Sequence, residues 1–253
     1  MKPLYNVLIR SNLFIALAAT SLYFYYGLKY TEGFSLLVSL VVFTGVFFAY
    51  NLLRLSAWKL KKKYIGHENI RFYHHYRLAL MALSFLLFII MIFSLGELSR
   101  AQWTYCLIGF FLFLLYENPF FKLNLRKTWF KPIIIGIVWA LIIVGLTETR
   151  WLVAFIDCFI FIVLLSLPFD LRDSINDKNE NLKTIAHFDL VKTKNILISC
   201  YIIYSVFGLY YTHEYFFILS PILFVLALKK NTLSFLSFAF IVDGLILLRF
   251  LLY

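Results

Sequence analysis

Trp151-Leu-Val-Ala-Phe-Ile-Asp-Cys-Phe-Ile-Phe-Ile-Val-Leu-Leu-Ser-Leu-Pro-Phe169 is a run of 19 residues with a single charge, Asp157, and it leads directly into Asp170-Leu-Arg-Asp-Ser-Ile-Asn-Asp177. As a helix rising about 1.5 Å per residue, the run matches the roughly 30 Å hydrocarbon core of a bilayer, and the acids fall just beyond its end. Comparable windows, uncharged except for Asp243 and Arg249 in the last, occur at 12–28, 34–53, 78–96, 102–116, 132–146, 195–211, 215–228 and 233–252. The apolar residues lie in continuous runs and do not alternate with polar ones, which argues against an outer-membrane barrel. The expected fold is all-α: a polytopic membrane bundle of about nine transmembrane helices, forming a single integral membrane domain over 1–253.

Composition supports this reading. The chain is 62% hydrophobic, 20% aromatic and 15% charged, with a mean hydropathy of +0.85, which excludes disorder, a collagen-like chain and an ordinary soluble enzyme. Cys106, Cys158 and Cys200 sit inside apolar runs without CxxC or Cys/His spacing, so they read as packing residues. The stretch Ala16-Leu-Ala-Ala19 has the small residues of a signal-peptide cleavage site. The apolar run continues past it through Tyr23-Phe-Tyr-Tyr26, so a retained first span is expected.

Assigning nine spans places 20 of the 24 Lys and Arg residues on the side of the N-terminus and leaves Lys29, Arg100, Arg150 and Arg249 on the other. The positive-inside rule then makes the N-terminus cytoplasmic and sends the C-terminus to the opposite side of a plasma or bacterial inner membrane. This asymmetry accounts for most of the net charge of +11, and no nucleic-acid partner is needed. The segments 54–77, 117–131 and 170–194 become the longer cytoplasmic loops, where chemistry is expected.

The third of these segments carries the most information. On a continuing helix Asp170, Asp173 and Asp177 lie at i, i+3 and i+7, within about 60° of one another. Carboxylates on one ridge repel unless a cation lies between them, and hard oxygen donors in this pattern suit Mg²⁺ bridged to a phosphate. The bland alternative is a solvated helix end. Acids at a helix C-terminus oppose its dipole, which weighs against that alternative.

The ridge, followed by Lys183-Thr184-Ile185, resembles the second aspartate-rich motif of the UbiA family of intramembrane prenyltransferases. A second block, Leu115-Tyr-Glu-Asn-Pro-Phe-Phe-Lys122 with Leu125-Arg-Lys127, Phe130-Lys-Pro132 and Val138-Trp-Ala140, is similar to that family's loop between the fourth and fifth helices and the helix after it. The resemblance covers nearly the whole chain. It implies a Mg²⁺-dependent enzyme that transfers a polyprenyl group from an allylic diphosphate, drawn from the membrane lipid, to an acceptor the sequence does not identify. It also implies Asp170, Asp173 and Asp177 as catalytic metal ligands, and Asn51, Arg54, Lys122, Arg126 and Lys183 as diphosphate-side residues.

The sequence departs from the family at the first motif, NDxxD, which falls on Asn51-Leu-Leu-Arg-Leu55. Only the asparagine survives, and Arg54 is the new polar group. With Trp58 and Lys62 it turns the usual acidic face basic. Arg54 either clamps the diphosphate directly or pairs with the acidic ridge and closes the site. The second case gives a non-catalytic protein that keeps the fold for lipid binding or assembly. Lys61-Lys-Lys63 reads as a topology signal, and His67, His74 and His75 lack a metal spacing. Asp157 and Asp243 lie inside spans; each is expected to meet a structural partner on a neighbouring helix, with a transport pathway as the competing reading. The Phe and Tyr residues divide between lipid contact and the lining of an apolar tunnel that stabilises a carbocation.

Overall fold

The computed structural model describes residues 2–31, 34–60, 68–116, 130–147, 151–179, 189–229 and 235–253. Within them lie ten α-helices: α1 (Lys2–Arg10), α2 (Leu13–Tyr30), α3 (Leu36–Leu60), α4 (Glu68–Ser94), α5 (Arg100–Tyr116), α6 (Lys131–Thr147), α7 (Trp151–Asn179), α8 (Leu190–Thr212), α9 (Phe216–Lys229) and α10 (Phe235–Leu251). Each apolar window read from the sequence falls on one of α2 to α10, and α1 is an additional short helix. Leu36–Arg54, His75–Glu97, Leu152–Arg172 and Val191–Thr212 are each long and apolar enough to cross a membrane. The outer faces are apolar, with Leu78, Phe85, Phe93, Phe111, Phe207 and Tyr210 exposed. Such a surface belongs against lipid, and the chain is an integral membrane protein.

Local chemistry sets the breaks between helices. Asn12 adopts a left-handed backbone with φ of 66° between α1 and α2, a conformation asparagine tolerates better than most residues. The Asp189 carboxylate accepts from the backbone N–H groups of Val191 and Lys192 and caps α8, satisfying donors that the first turn leaves open.

Helix α2 packs against α1, α3, α6 and α10, so it is buried on most of its circumference. Ala16, Ala18 and Ala19 are completely buried there; the small residues that imitate a cleavage site are close-packing positions. The most extensive pairing joins α6 to α7. A Cβ added at Gly136 would stand 2.6 Å from Val163 Cγ2 and 3.1 Å from the Phe159 carbonyl oxygen, and that backbone atom cannot move aside alone. Gly136→Ala is expected to destabilise the bundle by about 1–3 kcal/mol. Gly96→Ala, which meets nothing within 4 Å, serves as the reference, and equal melting temperatures in detergent would contradict this packing.

A polar lock ties one end of the bundle together. Arg249 on α10, a flanking charge in the sequence reading, is fully buried. Its Nη2 donates to Asp157 Oδ2 on α7 at 2.7 Å and to the Tyr25 hydroxyl at 3.1 Å. Asp157 also accepts from the hydroxyls of Tyr26 and Tyr204, each at 2.8 Å. Tyr25 in turn donates to Glu214 at 3.0 Å, and Lys29 pairs with Glu214 at 2.6 Å. The guanidinium sits 4.5 Å from the centroid of the Tyr25 ring and 4.7 Å from that of Phe161. Asp157 therefore has the hydroxyl partners expected of a structural residue, together with an arginine that sequence spacing could not supply.

Candidate active site

The other end of α7 holds a cavity whose largely apolar wall carries five charged side chains. Pro168 lies inside this helix and, lacking an N–H, leaves the Leu164 carbonyl without its usual partner nearly two turns before Asp170. Asp170 is buried and forms an ion pair with Lys131, the first residue of α6. Both line a cavity of about 230 Å³, whose wall also carries Asn12, Arg54, Arg172 and Asp243. Basic groups thus outnumber acids on this wall, which suits an anionic group. The guanidinium of Arg172 is stacked 5.1 Å from the ring centroid of Phe169 and 5.2 Å from that of Phe238, which orients it within the bundle.

A second cavity, of about 370 Å³, lies among α3, α4, α5 and α6. Its lining is almost wholly apolar and includes Phe48, Phe88, Trp103, Phe110 and Phe113. Tyr50, Ile135 and Trp139 line both cavities. The two spaces therefore lie on either side of a shared aromatic wall, the waist between them, one suited to an anionic head and the other to a hydrocarbon tail. Their sizes taken together lie within the roughly 300–1,000 Å³ typical of small-molecule sites.

The residues expected from the sequence take up different positions. Arg54 and Asp170 share the polar cavity. Helix α7 continues through Asn179, so positions 170, 173 and 177 keep the spacing of one ridge; the side chains of Asp173 and Asp177 lie outside the described residues. Lys122, Arg126 and Lys183 fall in 117–129 and 180–188, also outside them. Asn51 is not on the cavity wall. It is fully buried, donating to the carbonyls of Ser11 at 3.1 Å and Phe47 at 2.8 Å and accepting from Asn12 Nδ2 at 3.3 Å. The surviving residue of the degenerate first motif thus braces the turn between α1 and α2, and Asn12 faces the cavity.

Lys131, Arg172 and Asp243 are site residues that the sequence reading did not assign to the site. Arg172 was legible, being one residue from Asp173 on the same helix. Lys131 and Asp243 come from distant segments, and no periodicity links them to the ridge. Asp243 was expected to have a neighbouring-helix partner; it opens instead onto the cavity, with no hydrogen bond or ion pair among the described residues. Among the described residues no group of three or more His, Cys, Asp or Glu is arranged to hold a metal ion.

No protein-family model matches this sequence, and no curated protein does. The fold does match solved structures. A UbiA homologue from Archaeoglobus fulgidus bound to GPP and Mg²⁺ aligns with a TM-score of 0.64 at 12% identity, covering 98% of this chain and 98% of that one. The same homologue bound to DMAPP and Mg²⁺ gives 0.61 at 13%, covering 98% and 97%. A structure from work on digeranylgeranylglyceryl phosphate synthase gives 0.57 at 17%, covering 99% and 98%. This chain has the UbiA fold over essentially its whole length.

Proposed function

We propose that this chain transfers a polyprenyl group from an allylic diphosphate to an acceptor in a Mg²⁺-dependent reaction. The observation that carries the reading is a cavity bearing three basic side chains that shares the wall residues Tyr50 and Trp139 with an apolar one. The fold shared with homologues solved with prenyl diphosphates and Mg²⁺ supports it. The hard oxygen donors at 170, 173 and 177 suit Mg²⁺; Asp173 and Asp177 would hold it beside Asp170, whose charge is already shared with Lys131. When bound, the metal neutralises the leaving diphosphate.

In this reading the protein's own cations do much of that work. Arg54, and Lys131 once drawn away from Asp170, take up diphosphate oxygens, with Lys122, Arg126 and Lys183 assisting from the adjoining segments. The tail lies in the apolar cavity. This places the allylic carbon at the waist, where the ring faces of Tyr50 and Trp139 stabilise positive charge as the carbon–oxygen bond breaks. The segments 54–77, 117–131 and 170–194 form the active-site face on the cytoplasmic side, with the N-terminus on that side and the C-terminus opposite, in a plasma or bacterial inner membrane.

One observation favours a second reading. The Lys131–Asp170 pair already neutralises one position of the ridge, as it would in a non-catalytic protein that kept the fold to bind lipid. Purified protein in detergent, given geranyl diphosphate, separates the two. Pyrophosphate release that requires Mg²⁺ and stops with a chelator is expected. No release from geranyl or longer prenyl diphosphates would establish the non-catalytic reading.

A further inference from the structure

Asp243 is a carboxylate inside an apolar helix, where an ionisable group without a partner is costly. On α10 it shares a face with Ala239 and Ile246, and all three line the polar cavity. No donor among the described residues lies within hydrogen-bonding or ion-pair distance of it; Arg54 and Arg172 act on it only through their field. By contrast, the other interior carboxylates among the described residues, Asp157, Asp170 and Glu214, are paired at contact distance.

A group placed this way lacks its complement, and the surroundings restrict what that complement can be. The two nearby guanidiniums disfavour a further cation in direct contact with this carboxylate, whether a metal ion or an ammonium. A carboxylate or phosphate in direct contact would be repelled by Asp243, so the diphosphate is left to Arg54 and Lys131 elsewhere on the wall. A neutral hydroxyl satisfies both conditions, since it donates a hydrogen bond and carries no charge. The hydroxyl would also sit in the cavity that adjoins the waist, close to where the allylic carbon is placed.

We propose that Asp243 receives the hydroxyl of the acceptor, an alcohol or phenol, and takes its proton during transfer. This rests on the prenyl-transfer reading. The allylic carbon–oxygen bond breaks with its electron pair leaving on pyrophosphate. The acceptor oxygen forms the new bond to that carbon, and its proton passes to the Asp243 carboxylate. No oxidant or further reactant is needed.

The test uses the full chain in detergent with geranyl diphosphate, Mg²⁺ and a series of para-substituted phenols of graded acidity. The wild type is expected to prenylate phenol. Asp243→Asn is expected to lose about 100-fold or more with phenol, within the range for removal of a general base. With p-nitrophenol, which is already largely ionised in mildly alkaline buffer and needs no base, the variant should return to within about tenfold of wild type. Asp243→Glu should retain most of the transfer to phenol. Retained Mg²⁺-dependent binding of geranyl diphosphate by Asp243→Asn would show that it is folded.

An equal loss across the whole phenol series, or no loss at all, overturns the assignment. A changed Mg²⁺ requirement in Asp243→Asn would make the residue a metal ligand and overturns it as well. Pyrophosphate release by the wild type without any prenylated phenol counts against a hydroxyl acceptor. A wild type that neither binds nor cleaves geranyl diphosphate would instead remove the prenyl-transfer reading beneath it.

Discussion

Asp157→Leu is expected to destabilise the bundle by about 3–5 kcal/mol, the range for removing one partner of a buried ion pair. The cost arises less from the lost contact than from what remains. Arg249 is completely buried and is held 2.7 Å from Asp157, so without the aspartate a guanidinium stays in a low-dielectric interior with only neutral partners. Tyr26 and Tyr204 would lose their acceptor at the same moment. The double variant Asp157→Leu/Arg249→Met is expected to recover much of the loss, because replacing both charges by apolar groups removes the stranded cation. Thermal unfolding in detergent reports both. If the double variant melts no higher than Asp157→Leu, the penalty does not come from an uncompensated charge.

The second large effect concerns activity. Asp173→Ala and Asp177→Ala are each expected to reduce Mg²⁺-dependent pyrophosphate release by about 10²–10³, the scale for losing one electrostatic stabiliser of a transition state. Neither residue belongs to the Asp157 lock, so melting temperatures should change little. Asp170→Asn has a different expectation. Its carboxylate is paired with Lys131, and neutralising it frees that lysine for the diphosphate while weakening the ridge. Its loss in turnover should therefore be smaller than for Asp173 or Asp177. Undiminished release in both alanine variants would remove the ridge from the mechanism.

The positions of the helices and the acidic ridge were legible because they depend on local order. An apolar run must bury its backbone in hydrogen bonds within lipid, and residues at i, i+3 and i+7 share a face wherever the helix sits. Arg54 was legible for the same reason, as a charge at the very end of a span. The contacts of Asn51 with the Ser11 carbonyl and the Asn12 amide at the left-handed turn were not legible, because its place in the motif says nothing of the turn that packs beside it.

The sequence by itself determined a lipid-embedded helical bundle and the ridge of acids at the end of one span. Tertiary structure alone decided which charges meet: Arg249 with Asp157 across 92 residues, Lys131 with Asp170 across 39, and Asp243 with none among the described residues. Hydrophobic periodicity reports how a helix faces its surroundings, but a charge pair is set by two helices approaching in one register. That register depends on the packing of the whole bundle, as where Gly136 admits α7 against α6.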